Sequence, residues 1–135
     1  MEIAVDTNVL MSALIKSSKS RELICSPKLV LHAPEHIISG SLAHEQEIIS
    51  KSGIKKYEFS VLITFLLLRI NIVPEDEFKK FIRLALKLVS HPEDAPFIAL
   101  SLSKNIPLWS EDKALKKQSS VKVFTTSELI KEIGL

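Results

Sequence analysis

Short apolar runs with strand character alternate along this chain with longer segments whose apolar residues recur at helical spacing. Ile3-Ala4-Val5 predicts a first strand ending at Asp6, and Asn8 to Ile15 predicts a helix. Lys16 to Ser20 forms a polar break, and Arg21 to Cys25 makes another helical turn before Pro27. Leu29 to Ala33 reads as a second strand stopped by Pro34, which has no N–H for a ladder. Ile37, Ile38, Leu42, Ile48 and Ile49 form the apolar stripe of a helix from Glu35 to about Ser50, which Ser52-Gly53 breaks. A more apolar helix follows from Tyr57 to Arg69, and Ile70 to Val73 is a third strand ending at Pro74.

Phe78, Phe81, Ile82, Leu84, Ala85 and Leu88 again recur with helical period. After Ser90-His91-Pro92, Asp94 or Ala95 opens a helix carrying Phe97, Ile98, Leu100 and Leu102, which Asn105 ends. Leu108-Trp109 is a short strand, Lys113 to Lys117 a helical turn, and Val121 to Phe124 a last strand. Thr125, with Glu128 three residues later, makes a capping box for a C-terminal helix.

Strands thus alternate with helices five times, the pattern of an α/β fold whose central parallel sheet of about five strands is covered on both faces. The 135 residues, without repeats or a long loop, fit one domain spanning residues 1–135. The longest apolar run, Val61 to Leu68, is far shorter than the roughly 20 residues that a bilayer crossing needs, so it predicts a buried helix face and no membrane segment. A single cysteine, Cys25, excludes an internal disulfide and any cysteine-cluster metal site, and a cytoplasmic location is expected.

Eighteen Lys and Arg against 16 Asp and Glu leave a net charge of +2, too even to identify a partner. The positions of the acids say more. Asp6 directly follows the first strand, Asp112 follows the Leu108-Trp109 strand, and Asp94 stands at the start of the helix leading into it. In open α/β sheets, functional groups collect at the carboxyl ends of strands. Clustered carboxylates repel and raise one another's pKa, a cost that a cation removes. Mg²⁺ and Mn²⁺ prefer carboxylate oxygen, and such ions can activate water and stabilise the leaving oxygen of a phosphodiester. Each acid also has a plainer reading. Asp6 and Asp94 could cap the helices that follow them, and Asp112 could be the first-turn acid of a short one. Only three glycines are present and none forms a phosphate loop, which disfavours nucleotide binding of the P-loop or dinucleotide type.

Three segments carry a resemblance. Val5-Asp6-Thr7-Asn8-Val9-Leu10 resembles the N-terminal motif of the PIN-domain ribonucleases, Pro92 to Leu102 resembles their second acidic segment, and Ile106 to Asp112 their third. The order, the 18 residues between Asp94 and Asp112, and the strand–helix layout all agree, so the resemblance covers essentially the whole chain. It implies a three-layer α/β/α sandwich and an acidic pocket for Mg²⁺ or Mn²⁺. The activity implied is metal-dependent endonucleolytic cleavage of single-stranded RNA, in many members as the toxin of a toxin–antitoxin pair. Carried over, Asp6, Asp94 and Asp112 would be the metal-binding, catalytic acids. Asn8 and Ser110 would be polar residues holding Asp6 and Asp112 or touching phosphate.

One expected acid is missing. The family places a Glu about one and a half turns into the helix after the second strand, a position held here by Gly40. At about 100° per residue, Glu35 and Glu45 are rotated about 140° off that face, and Glu47 returns to it about 10 Å further along. His44 shares the face one turn on and reads as a packing or surface residue, since hard Mg²⁺ prefers oxygen. A further acid often found two residues after the last Asp is Ala114, and Glu111 should point away from its neighbour Asp112. The pocket thus keeps three acids and lacks one or two, which gives a second reading: a catalytically weakened module that binds RNA or a protein without cleavage.

Lys113, Lys116 and Lys117 could follow a phosphate backbone near the pocket mouth, and Lys16, Lys19 and Arg21 form a second basic group; the plainer reading of both is a solvated helix face. Trp109 and the six Phe are read as core. The Tyr57-to-Arg69 helix is apolar beyond one buried stripe, which fits contact with a second copy of the chain, as a homodimer, or with an antitoxin.

Overall fold

In a computed structural model, which describes residues 1–15 and 18–135, five strands join in one parallel sheet. They are β1 (Glu2–Val5), β2 (Val30–Pro34), β3 (Ile70–Val73), β4 (Leu108–Trp109) and β5 (Val123–Phe124). Their spatial order is β3-β2-β1-β4-β5. The register pairs Ala4 with His32 on one side and with Leu108 on the other. Being central and covered on both faces, β1 cannot alternate polar and apolar residues. Ile3, Ala4 and Val5 are accordingly all fully buried.

The helices are α1 (Thr7–Ile15), α2 (Lys19–Ile24), α3 (His36–Ala43), α4 (Glu45–Ser52), α5 (Lys56–Leu67), α6 (Ile82–Leu88), α7 (Ala95–Lys104) and α8 (Thr126–Ile133). Parallel neighbours need crossover connections, and the right-handed rule sends successive crossovers to opposite faces when the direction of travel reverses. From β1 the chain steps outward to β2 and β3 through α1 to α5, with α1 packed against α2, α3, α4 and α5. It then returns through α6 and α7 to β4, on the other side of β1, with α7 lying against β1, β2 and β4. The result is the expected three-layer α/β/α sandwich, with its direction of winding reversed between β1 and β4.

The structure departs from the expected elements in four places. The helix expected from Glu35 to Ser50 is two, with His44 (φ −102°, ψ 12°) at the corner. Gly40 is a weak helix former, and the Ser39 and Ser41 hydroxyls bond back to the carbonyls of His36 and Ile37. The turn lets α4 bury Ile48 against the core beside α1. The segment around Phe78 is two 3-10 turns, Glu75–Glu77 and Lys79–Phe81, ahead of α6, with Phe78 itself seated in the core. Lys113–Lys117 is likewise a 3-10 turn. The last strand starts at Val123 rather than Val121, because the Gln118 side chain takes both the N–H and the carbonyl of Val121. Of the polar break, Lys16 and Ser17 lie outside the described residues, and Ser18 caps α2. Among the described residues, no helix is long and apolar enough to cross a membrane.

Candidate active site

The winding reversal between β1 and β4 leaves a crevice beyond the carboxyl ends of the strands, the place where such sheets collect ligands. Asp6 stands there because its N–H still donates to the Trp109 carbonyl at 3.0 Å, extending the β1–β4 ladder by one residue. Its side chain is 5 % exposed. One carboxylate oxygen accepts the Thr7 N–H at 2.7 Å and the other accepts the Ser110 hydroxyl at 2.6 Å. Ser110 is fully buried at the end of β4, and its Oγ also accepts the Asp112 N–H at 3.0 Å. Ser110 therefore ties Asp6 to the backbone of Asp112.

Asp94 comes from the 3-10 turn Pro92–Asp94, at the entrance to α7. Its side chain makes no capping hydrogen bond, so the plain reading fails at this position. Asp112 does behave as a cap: its Oδ1 accepts the Ala114 N–H at 2.9 Å, opening the 3-10 turn Lys113–Lys117. Glu111 turns away as expected and accepts the Thr126 N–H at the start of α8.

Burial pushes the Asp6 carboxyl above its ordinary range against the two hydrogen bonds that favour its charged form, and Asp112 adds to the rise. Burial, followed by the charges of Asp6 and Asp112, raises Asp94 to about 6. Asp6 and Asp94 thus share one electrostatic environment, to which the charge of Asp112 contributes.

A cleft of about 810 Å³ opens beside them. Asp6, Asn8, Gly40 and Asp94 line it, with His36 and His44 from the α3 side and Glu93 beside Asp94. Asp112, Ser110 and Lys113 are not among its lining residues; Asp112 acts on the cleft through its charge, and Lys113 is exposed at the start of its turn. Gly40 lines the same cleft as Asp6 and Asp94 and abuts Thr7. The extrapolation that put Glu47 on the same helical face does not hold, since Glu47 belongs to α4, beyond the corner at His44. His36 and His44 bracket Gly40 at a spacing of four on either side, a sequence signal for a pair on one face, and both line the cleft.

Among the described residues, no three His, Cys, Asp or Glu side chains form a ready-made metal cage. Mg²⁺ does not need one: it keeps several waters and is commonly held by one or two carboxylates together with substrate phosphate. Asp6 and Asp94, whose carboxyls are both raised above their ordinary range chiefly by burial, fit that smaller donor set.

Three of the six basic residues singled out in the sequence are committed elsewhere. Lys116 pairs with Glu128, Lys19 with Glu22, and Arg21 Nε donates to the Ala13 carbonyl.

Comparison with known proteins accords with this architecture. The structure is similar to PAE2754 from Pyrobaculum aerophilum, with a TM-score of 0.73 and 13 % identity over 99 % of this chain and 90 % of that one. It is also similar to VapBC2 from Rickettsia felis, solved bound to a DNA fragment from their promoter. There the TM-score is 0.61 and the identity 18 %, over 93 % of this chain and 98 % of that one. At these identities the likeness is one of fold. No curated protein matches the sequence significantly. A family model described as PIN domain matches residues 4–133, nearly the whole length, and the chain belongs to the PIN-domain family.

Proposed function

We propose that this chain is a divalent-metal-dependent endoribonuclease acting on single-stranded RNA as one domain, with Asp6 and Asp94 as its principal metal-binding acids and Asp112 as the third. The observation that carries this reading is the cleft at the winding reversal, where two of three mutually repelling aspartates face an open space large enough for a nucleotide segment. Mg²⁺ or Mn²⁺ held there would supply Lewis-acid polarisation of a phosphodiester and activation of water. Ser110 keeps the Asp6 carboxylate aimed, and Asn8 offers an amide to substrate from the cleft wall. Lys113 stands near enough to Asp112 to meet a backbone phosphate outside the cleft.

The toxin role in a toxin–antitoxin pair is supported by the family and by the fold shared with VapBC2. The outer face of α5 is the surface we assign to a homodimer or to an antitoxin. There Tyr57, Val61, Phe65 and Leu68 are between 54 % and 80 % exposed. The free, exposed Cys25 accords with a cytoplasmic location. Two observations favour a second reading, a weakened module that binds RNA or protein without cutting: Gly40 offers no carboxylate, and Asp112 is occupied as a cap.

Cleavage of a generic single-stranded RNA with Mn²⁺, comparing the native chain with Asp6→Asn, separates the two. We expect metal-dependent cleavage that falls at least ~100-fold in the variant, the scale of losing one preorganised group at a reacting centre. Equal residual activity in both proteins would leave the binding module as the surviving reading.

A further inference from the structure

A cleft that takes RNA must meet a polyanion, yet no lysine or arginine lines this one among the described residues. Its acids are Asp6, Glu93 and Asp94, and the side chains in its wall able to carry positive charge are His36 and His44. The two histidines differ in how they are held. His36 Nδ1 is buried without a partner, and its Nε2 is 3.9 Å from the nearest paired acid, Glu75. His44 Nδ1 is 3.1 Å from Glu47 Oε2, and the other Glu47 oxygen accepts from Lys51 Nζ at 2.9 Å. A carboxylate at neutral pH can only accept, so Nδ1 must carry the hydrogen of that contact. The bonds from Lys51 and His44 hold the Glu47 carboxyl below its usual range, keeping it ionised.

His44 stands at the corner between α3 and α4, and Glu47 follows it by three residues, the spacing at which helical neighbours meet, so the first turn of α4 carries the carboxylate to the ring. His44 sits four residues, one turn or about 6 Å of axial rise, from Gly40 and lines the same cleft as Asp6 and Asp94.

We infer that His44, oriented by Glu47, is the phosphate-binding cation of this cleft, and that its grip on an RNA backbone weakens as pH rises. This rests on the cleft being an RNA site and names the group that holds the substrate there. Histidine ordinarily changes charge between pH 5 and 8, and as imidazolium it donates a charge-assisted hydrogen bond to a phosphate oxygen. The charged and titratable groups around it are Glu47 and Lys51 of α4, His36 of α3, Glu93 and Asp94 of the turn, and Asp6 of β1. Ionisation of Asp94 also disfavours RNA at higher pH, so the variants below are compared at each pH rather than across it.

The test is anisotropy of a labelled single-stranded oligoribonucleotide on the full chain, with divalent ions chelated, between pH 5.5 and pH 8. At pH 5.5, His44→Ala should bind about tenfold more weakly than the native chain, the worth of one charge-assisted hydrogen bond, and near pH 8 the two should converge. His44→Lys, cationic throughout, should bind more tightly than the native chain when both are measured at pH 8, a rescue that a packing role would not produce. Native affinity in His44→Ala across the whole range, with the native chain binding normally, overturns the inference alone. A native chain that neither binds nor cuts the oligonucleotide overturns the RNA reading beneath it.

Discussion

Gly40 has ordinary helical backbone, unlike Gly53 and Gly134, whose φ values of 73° and 70° close α4 and α8 in the left-handed region. Conformation therefore does not require glycine at position 40; space and chemistry decide what can stand there. A Cβ would lie 3.2 Å from the Thr7 methyl and 3.4 Å from its hydroxyl, so Thr7 must yield by a few tenths of an ångström. Gly40→Glu should restore a carboxylate to the wall facing Asp6 and Asp94. We expect it to tighten Mn²⁺ on the order of tenfold by calorimetry, the lower end of what changes around a metal site produce. Adding Thr7→Ser, which removes the crowding methyl, should increase the gain. An unchanged titration in both would count against the cleft as the metal site. The absence at Gly40 was legible in the sequence because a motif fixes the position at which an acid is expected. The position of His44, one turn from Gly40 on the same face, was legible too, whereas that of Glu47 was not, because counting about 100° per residue presumes one straight helix and the chain turns at His44.

The fifth helix shows what periodicity can and cannot tell at the scale of an element. Its sequence is apolar around most of its circumference, so pattern alone cannot say which stripe turns inward. The structure buries Phe59, Ile63 and Leu66 and leaves Tyr57, Val61, Phe65 and Leu68 facing out, so Phe65 is not the core residue expected of it. Phe59→Ala should therefore cost about 3–5 kcal/mol in a urea titration, as for a buried aromatic. Phe65→Ser should stay within about 0.5 kcal/mol for an isolated chain. It should also shift the proposed homodimer towards monomer in sedimentation, whereas unchanged sedimentation would put the dimer contact elsewhere. Elements set by strong local chemistry read correctly, as the Thr125–Glu128 capping box of α8 shows. Those that failed involve side chains that compete with backbone pairing, as Gln118 does at Val121.

For the whole molecule, the shared electrostatics of the acids should govern how stability varies with pH. Asp94 moves from an ordinary 3.8 to about 6, and Asp6 moves in the same direction. Between those values the folded chain holds protons that the unfolded chain has released, so this contribution is complete below about pH 4 and is lost as pH rises through about 6. Glu47 and Glu128, both lowered, act with the opposite sign, but below their ordinary 4.5. Thermal unfolding without divalent ions should therefore show a falling midpoint from pH 4.5 to 6.5. Asp94→Asn should flatten that fall, and Mn²⁺ should raise the midpoint at pH 7 but hardly at pH 4.5, where protons compete for the same oxygens. A slope that survives Asp94→Asn unchanged would assign the effect to other groups. The sequence carried the α/β class through alternation, but nothing in it placed β1 between β2 and β4, since strand order depends on contacts between distant segments.

The bond from Ser110 to Asp6 joins residues 104 positions apart, across strands that meet only when the return crossover is complete. No local stretch of chain can supply that bond, so the aim of the Asp6 carboxylate depends on the fold from β1 through β4 being complete.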